Sequence, residues 1–227
     1  MPINEHHDNS QIMKALYNCA NNIIALCSPE DDEGDWIYDQ LIFFTLIDEK
    51  KVEVKIFNKD GSLAGNCLNG LRALVHYLDS ELKINHPLDF FQNNKKLGFS
   101  TFKNHKFYIG VEIPEVVETK NPMRIKLGNE HLVFWHLGLN FNKPQNYIPQ
   151  TNEEYILNYN GNIATTRVYE SGVGETGSCG SGAVAVGYYL FLKYGNKEFV
   201  IRYPGGDLET IIENNQILLS GPILRTE

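Results

Sequence analysis

Two cysteines begin two similar segments of the chain, and their spacing points to paired thiol chemistry. Cys67 opens C-L-N-G-L-R-A-L-V-H-Y-L at 67–78, and Cys179 opens C-G-S-G-A-V-A-V-G-Y-Y-L at 179–190. Five of the twelve aligned positions are identical, and the cysteines lie 112 residues apart, about half of a 227-residue chain. The sequence therefore indicates an internal duplication in which each half contributes one thiol.

Each cysteine follows a turn-rich stretch and precedes a run of helix-forming apolar residues, so both are predicted to lie at helix N-termini. The macrodipole and the unpaired backbone N–H groups at such an end stabilise anions. We therefore expect these thiols to ionise more easily than an ordinary cysteine, whose pKa is about 8.5, and the N–H groups to bind a carboxylate. Two thiols on opposite sides of one small anion would invert a carbon centre without a cofactor.

Structural roles are the alternative for these thiols. Buried cysteines are common, and a disulfide between Cys67 and Cys179 would require their Cα atoms to lie within about 7 Å. A structural cysteine has no reason to recur at the same place in both halves beside small residues, which favours the catalytic interpretation. Cys19 and Cys27 lie in or beside the apolar stretch 12–26, where a buried structural thiol is the simpler interpretation.

Composition and charge exclude several classes of partner. With 20 basic and 28 acidic residues the net charge is −8, and no basic block is present, so we predict no nucleic-acid partner. No apolar run approaches the roughly 20 residues that cross a bilayer, and the start lacks signal-peptide features. A soluble, cytoplasmic protein without a membrane partner is expected. The four cysteines and seven histidines form no C-x-x-C or H-E-x-x-H pattern, which predicts no metal site.

The glycine turn before the second cysteine admits another interpretation. G-V-G-E-T-G at 172–177 satisfies the G-x-G-x-x-G pattern of a dinucleotide-binding turn, after a strand-like run and before a helix. Only 50 residues follow Gly177, too few to complete a two-part nucleotide domain. We therefore predict no nicotinamide, flavin or other cofactor.

Short runs rich in β-branched and aromatic residues dominate outside the two predicted helices, and turn residues separate them. These strand-like runs are 22–26, 37–46, 52–57, 97–102, 107–113, 124–127, 132–139, 154–159, 165–169, 199–203, 208–212 and 216–219. With the duplication, the pattern predicts an α/β (α+β) fold of two pseudosymmetric lobes, each a curved sheet around a central helix. We place the lobes at 1–113 plus 214–227 and at 114–213, with 114–122 as the crossover.

Longer motifs around both cysteines resemble the two signatures of the diaminopimelate epimerase family. These are F-N-K-D-G-S at 57–62 with C-L-N-G-L-R at 67–72, and E-S-G-V-G-E-T-G-S-C-G-S-G at 170–182. Weaker similarities fall in the expected order: A-N-N-I at 20–23, Y-D-Q-L at 38–41, T-N at 151–152, P-G-G at 204–206 and S-G-P at 220–222. The resemblance implies a pyridoxal-independent amino-acid racemase or epimerase whose active site lies between two lobes.

The resemblance also implies roles for individual residues. The family's two helix-capping cysteines are the base and the acid, and these roles carry over to Cys67 and Cys179, with Glu170 as a third catalytic candidate. Backbone N–H groups that bind the substrate α-carboxylate correspond to Leu68, Asn69, Gly180 and Ser181. Polar contacts to the rest of the substrate correspond to Asn21, Gln40, Asn58, Asn140 and Asn152.

Three positions depart from the family pattern. Leu68 stands where the family has glycine. Leucine can adopt fewer backbone conformations than glycine, which restricts the geometry of the anion-binding turn. Ser171 replaces an arginine that grips the distal carboxylate in diaminopimelate epimerases, a charge-assisted contact that serine cannot reproduce. L-N-F-N at 139–142 replaces a G-N-P-H motif, so the histidine that assists one thiol is missing there. These departures affect substrate specificity more than proton transfer.

The sequence thus predicts an isomerase that inverts the α-carbon of a small-molecule amino acid by two-base proton transfer. Epimerisation of L,L- to meso-diaminopimelate, a step of lysine biosynthesis, is the leading reaction, and racemisation of another amino acid, such as histidine, is the alternative that Ser171 leaves open. A non-catalytic amino-acid-binding homologue is favoured by Leu68, Ser171 and the missing histidine, and disfavoured by the two retained cysteines. The related isomerase fold of phenazine biosynthesis does not use this cysteine pair and ranks last. A homodimer is an open expectation.

Overall fold

The computed structural model describes residues 40–58, 61–135, 138 and 151–223. These residues form two helices, α1 (Leu68–Ser80) and α2 (Gly180–Tyr194), and fourteen strands that hydrogen bond into one mixed sheet. The strands are β1 (Gln40–Leu46), β2 (Lys51–Asn58), β3 (Asp89–Gln92), β4 (Lys95–Lys103), β5 (Lys106–Glu112), β6 (Glu115–Glu118), β7 (Met123–Leu127), β8 (Asn129–Trp135), β9 (Asn152–Asn160), β10 (Ile163–Glu170), β11 (Gly174–Thr176), β12 (Glu198–Tyr203), β13 (Gly206–Glu213) and β14 (Gln216–Ser220). The predicted α+β class is confirmed, whereas the predicted strand at 22–26 lies outside the described residues.

Alternation of apolar and polar residues gives the strands one face toward the core. In β2 the side chains of Val52, Val54 and Ile56 are fully buried, while the residues between them are half-buried. Successive side chains of a strand point to opposite faces, so this period-two pattern is the one expected. The sequence did not predict β3, β6 and β11, which are only three or four residues long, and β6 lies inside the predicted crossover 114–122.

The sheet contains the same five-strand pattern twice. In the first repeat, β1 to β5, successive neighbours pair antiparallel, parallel, antiparallel and antiparallel. In the second repeat, β9, β10, β12, β13 and β14, the order of pairing is identical. A helix joins each parallel pair, α1 between β2 and β3 and α2 between β10 and β12, as a parallel connection requires. The duplication seen around the cysteines therefore extends to the topology of both repeats.

The two repeats meet at their last strands. β14 pairs antiparallel with β13 of its own repeat and with β5 of the first repeat, so hydrogen bonds cross between the repeats. On the other side of the second repeat, β8 pairs in parallel with β9, and β7 and β6 follow it. The division into lobes at 1–113 plus 214–227 and at 114–213 stays a prediction.

The two helices are buried to different extents. α1 turns Leu71, Val75 and Leu78 to the core at helical spacing and exposes its opposite side, including His76. α2 has four consecutive residues without exposed surface, at 183–186, so the second repeat encloses its helix more completely. In the described part of the chain, neither helix has the length and apolar character needed to span a membrane.

Candidate active site

Both cysteines lie immediately before a helix, as the sequence predicts. Cys67 caps α1 in an extended conformation (φ −145°, ψ 95°), and its Sγ accepts a hydrogen bond from the Gly70 N–H at 3.2 Å. Cys179 caps α2 in the same way (φ −126°, ψ 121°), and its Sγ accepts from the Gly182 N–H at 3.4 Å. Both side chains are thiols, and within the described residues no disulfide joins them.

The N-terminal ends of the two helices are in contact. A Cβ atom added to Gly180 would lie 2.8 Å from Asn69 Oδ1 and 3.0 Å from both Asn69 N and Leu68 Cβ. The Asn69 side chain also donates from Nδ2 to the carbonyl oxygen of Ser178 at 3.4 Å. Glycine at the first position of α2 therefore allows two segments from opposite halves of the sequence to approach at their backbones.

This contact brings together the four backbone N–H groups predicted to bind a carboxylate. Leu68 and Asn69 are the first residues of α1, and Gly180 and Ser181 are the first residues of α2. The first N–H groups of a helix have no acceptor within the helix, and the dipole makes this end positive. The Leu68 side chain is 1% exposed and belongs to the core, so leucine is accommodated where the family has glycine. Where two such helix ends meet, their first backbone N–H groups can together donate hydrogen bonds to a small anion.

Polar residues at the strand ends are paired in each repeat. Gln40 Nε2 donates to Asn58 Oδ1 at 2.9 Å across β1 and β2. In the second repeat, Asn152 Oδ1 accepts from the Ser171 N–H at 3.0 Å, next to Glu170 at the end of β10. Gln40 and Asn152 lie 112 residues apart, as do Asn58 and Glu170, so both pairs keep the offset of the cysteines. The offset of the cysteines, applied to the sequence, pairs these positions, although the residue types within each pair differ.

The glycine motif at 172–177 forms a tight return rather than a nucleotide-binding turn. β11 folds back antiparallel onto β10, and Thr176 Oγ1 donates a hydrogen bond to Glu170 Oε1. Gly172 and Gly174 have φ values of 75° and 97°, a backbone region that glycine adopts without strain. The motif therefore orients the carboxylate of Glu170 and leads the chain into α2.

The ionisation of Cys179 differs from the prediction. The residue is 5% exposed, and burial raises the pKa of its thiol well above the ordinary value, with the negative charges of Glu170 and Glu154 acting in the same direction. Hydrogen bonds with Ser181 Oγ and the Gly182 N–H oppose this shift. The expectation that this thiol ionises more easily than an ordinary cysteine is wrong, because burial and two carboxylates raise its pKa more than these hydrogen bonds lower it.

Sequence analysis missed three buried polar residues next to α2. Glu154 is fully buried in β9, with His131 Nδ1 3.3 Å from its Oε1 and the Tyr203 hydroxyl donating to its Oε2 at 3.1 Å. A signal was present in the E-E pair at 153–154, because alternation in a strand must turn one of two adjacent carboxylates inward. His131 and Tyr203 gave no such signal, since their partner is distant in sequence.

Arg72 is a further buried polar residue to which sequence analysis gave no role. It is 7% exposed, and it donates from Nη1 to Asn69 Oδ1 at 3.0 Å and from Nη2 to the Pro222 carbonyl oxygen at 2.9 Å. Burial lowers the pKa of its guanidinium to about 10. A cavity of about 210 Å³ lies against Asn69, Arg72, Ser178 and Asp207, and neither cysteine lines it. Arg72 thus orients Asn69, which links α1 to the segment before α2.

Two predicted substrate contacts, Asn21 and Asn140, lie outside the described residues, and so does the segment 139–142. Ser171, which replaces the family's arginine, is described and exposed. Across the described ranges, no group of three or more His, Cys, Asp or Glu side chains could hold a metal ion.

Comparisons with curated proteins extend the resemblance beyond the motifs. No family model matches the chain. It is 26% identical to the diaminopimelate epimerase of Wolbachia sp. subsp. Drosophila simulans, over 95% of this chain and 97% of that protein. It is 26% identical to the diaminopimelate epimerase of Corynebacterium glutamicum, over 89% of this chain and 80% of that protein. The chain resembles the diaminopimelate epimerases over most of its length.

Solved structures share the fold. Two phenazine biosynthesis proteins of the PhzF family are similar, from Bacillus anthracis (TM-score 0.65, 12% identity, 90% of this chain and 85% of that chain) and Enterococcus faecalis (TM-score 0.62, 11%, 90% and 83%). A predicted epimerase from Pseudomonas aeruginosa has a TM-score of 0.56 at 15% identity, over 81% of this chain and 80% of that chain. These similarities concern the fold alone. The curated relatives support an epimerase-like enzyme of the isomerase class.

Proposed function

We propose that this chain inverts the α-carbon of a free amino acid by proton transfer between Cys67 and Cys179. The observation that carries the proposal is the contact between Gly180 and Asn69, which joins the N-terminal ends of α1 and α2, each capped by a cysteine. A thiol on each side of one anion site suits removal of a proton from one face of a carbon and return of a proton to the other. The resemblance to diaminopimelate epimerases supports the same chemistry.

The α-carboxylate of the substrate binds at the joined helix ends. There it accepts hydrogen bonds from the first backbone N–H groups of both helices, those of Leu68, Asn69, Gly180 and Ser181. Loss of the Cα proton moves negative charge onto this carboxylate. Fixed N–H groups and two helix dipoles therefore stabilise the transition state more than the ground state, which is the condition for catalysis. The proposal requires no metal or cofactor.

Proton transfer then takes two steps. One sulfur, as the thiolate, takes the Cα proton, and the electron pair of the broken C–H bond is delocalised into the carboxylate. The S–H bond of the other sulfur, present as the thiol, then breaks: its proton goes to the opposite face of the carbon, where the delocalised electron pair forms the new C–H bond, and the sulfur is left as the thiolate. The sulfurs exchange protonation states, so the reaction runs in both directions. The half-buried Glu170 carboxylate, whose charge acts on Cys179, binds the substrate α-ammonium group.

The substrate side chain is assigned by resemblance. L,L-diaminopimelate is the leading substrate because the curated relatives carry that activity in their names. Gln40, Asn58 and Asn152 supply polar side chains at the strand ends for contacts with the rest of the molecule. Ser171 is exposed and uncharged, which favours a second candidate, an amino acid without a distal carboxylate, such as histidine. Either reaction would take place in the cytoplasm.

Hydrogen exchange at the α-carbon tests the function. The reduced protein is incubated in D₂O with L,L-diaminopimelate and, separately, with a panel of L-amino acids, and NMR follows the α-proton signal. Loss of the signal from diaminopimelate supports the leading substrate, and loss only from another amino acid supports the second candidate. If no compound exchanges, the chain is a binding homologue and the proposed function is wrong.

A further inference from the structure

A buried polar cluster lies behind the thiol of the second repeat. Glu154 and His131 have no exposed surface, and Tyr203 is 4% exposed. Each oxygen of the carboxylate has its own partner, because His131 Nδ1 lies 3.3 Å from Oε1 and the Tyr203 hydroxyl donates to Oε2 at 3.1 Å. The three residues come from β8, β9 and β12, so the sheet holds the carboxylate in one orientation.

The Glu154 carboxylate packs directly against the first turn of α2. A Cβ atom added to Gly182 would lie 1.9 Å from Glu154 Oε1, so the contact requires glycine at this position. Gly182 is also the residue whose N–H donates to the Sγ of Cys179. α2 carries no acidic side chain in its own first turn, and Glu154 supplies the negative charge that this helix end favours.

Hydrogen bonding indicates that Glu154 carries its charge. His131 Nε2 is buried and has no hydrogen-bond partner in the described residues, so an imidazolium would bury an unsatisfied N–H group there. A neutral imidazole with its proton on Nδ1 avoids this cost and donates to Oε1. With the Tyr203 hydroxyl donating to Oε2, both oxygens act as acceptors, which is the pattern of an ionised carboxylate.

The first repeat has an apolar group at the corresponding place. Gly70 corresponds to Gly182, and a Cβ atom added there would meet Ile42 Cδ1 at 2.4 Å. Ile42 precedes Glu154 by the same 112 residues that separate the cysteines. A methyl group of Ile42 therefore packs against the first turn of the helix that Cys67 caps, and the carboxylate of Glu154 packs against the first turn of the helix that Cys179 caps.

We propose that Glu154, held by His131 and Tyr203, is a positioning residue that keeps Cys179 as the neutral thiol, so that Cys179 is the acid and Cys67 the base of the resting site. The assignment of acid and base rests on the proposed function. The negative charge of Glu154 behind the first turn of α2 repels a second negative charge on the sulfur. It also offsets the positive N-terminal end of the helix, which would otherwise stabilise the thiolate.

The titratable groups that act on Cys179 agree with this assignment. Burial raises the pKa of the thiol most, and the carboxylates of Glu170 and Glu154 raise it further. Burial also raises the pKa of Tyr203 well above its ordinary value, so its hydroxyl stays protonated and continues to donate to Glu154. Burial raises the pKa of Glu154, and the hydrogen bonds from His131 and Tyr203 act in the opposite direction, in favour of its charged form.

The test measures ionisation of Cys179 without any substrate. Thiolate absorbance is followed against pH in a Cys67→Ala background, and the curve of the Cys67→Ala/Cys179→Ala protein is subtracted to remove the other cysteines. Glu154→Gln keeps the shape of the side chain and removes its charge. We expect the ionisation midpoint of Cys179 to fall by about one pH unit, a tenfold rise in the acid dissociation constant.

Glu153→Gln is the matched control. Glu153 is 2% exposed, precedes Glu154 on the opposite face of β9 and accepts a hydrogen bond from the Tyr155 hydroxyl, so its loss perturbs the same strand. We expect this variant to leave the midpoint of Cys179 unchanged. A midpoint that stays fixed in Glu154→Gln, or that moves equally in both variants, would overturn the proposal.

Tyr203→Phe provides a second variant if Glu154→Gln does not fold. It removes the donor to Oε2, which weakens the charged form of Glu154, so the midpoint of Cys179 should fall by a smaller amount. A rise, or no change, would contradict the proposal. The midpoint is measured without substrate, so this test does not depend on turnover. If the protein exchanges no amino acid but the midpoint shifts as expected, the proposed function is wrong and the control of Cys179 ionisation by Glu154 stands.

Discussion

The two cysteine-capped helix ends share a backbone design and differ in the side chains behind them. In both repeats the thiol accepts a hydrogen bond from a glycine N–H three residues later, at Gly70 and at Gly182. Cys67 is half-buried beside an apolar residue, whereas Cys179 is 5% exposed and has a carboxylate behind it. The comparison indicates that the duplicated fold supplies two equivalent cysteine-capped helix ends, and that the side chains packed against their first turns differ.

The strand ends show the same asymmetry of charge. The first repeat carries two amides, Gln40 and Asn58, that hydrogen bond to each other. The second repeat carries Asn152 and, at the position equivalent to Asn58, the carboxylate of Glu170. Both carboxylates that act on the Cys179 thiol, those of Glu170 and Glu154, therefore belong to the second repeat. In the proposed function, the acid and the carboxylate that binds the substrate's α-ammonium group therefore belong to the same repeat.

Removal of either thiol should have the largest effect. Cys67→Ala and Cys179→Ala should each lower the rate of α-carbon inversion by a factor of about a hundred or more, since a positioned acid or base contributes that much. Because the two sulfurs act as one unit, the double variant should be no slower than the slower single variant. Chiral chromatography of the product measures inversion, and calorimetry checks that substrate still binds. A double variant whose loss is the product of the two single losses would contradict paired action.

Substitution of the equivalent glycines should affect stability unequally. Gly182→Ala places a methyl group against the buried Glu154 carboxylate, held by two hydrogen bonds, and should lower the free energy of unfolding by about 2–3 kcal/mol through overpacking. Gly70→Ala meets the end of the Ile42 side chain, which can change rotamer, and lies 3.2 Å from Cys67 Sγ, so the loss should be smaller, about 1 kcal/mol. Urea denaturation measures both, and equal losses would remove this difference between the repeats.

The pH dependence of stability should report the burial of Cys179. Its folded-state pKa is raised above the unfolded value of about 8.5, so the folded protein retains a proton that the unfolded chain loses as pH rises. The contribution of this thiol is therefore fully present below about pH 8.5, and stability should fall by about 1 kcal/mol over the next pH unit.

Denaturation of wild type and Cys179→Ala at several pH values isolates this term. The difference between their free energies of unfolding should decline above about pH 8.5. A difference that is constant with pH would mean that Cys179 ionises as readily in the folded protein as in the unfolded chain.

Features that depend on local sequence were predictable, and features that depend on distant pairing were not. Turn residues before a helix-forming run located both helix ends, and alternation located most strands. The contacts of Glu154 with His131 and Tyr203 join residues 23 and 49 positions apart, which no local pattern records. For the same reason, the helix dipole alone gave the wrong direction for the ionisation of Cys179, whose burial is created by the folded sheet.

Isotope labelling during inversion tests the two-thiol account most directly. The reduced protein is incubated in D₂O with one pure isomer of an accepted amino acid, and deuterium is measured early in both the inverted product and the recovered starting isomer. The account predicts deuterium in the product alone, because the second thiol delivers a solvent-derived proton to the opposite face while the first retains the proton it removed. Equal labelling of the recovered starting isomer would indicate a single base that acts on both faces and would contradict the account.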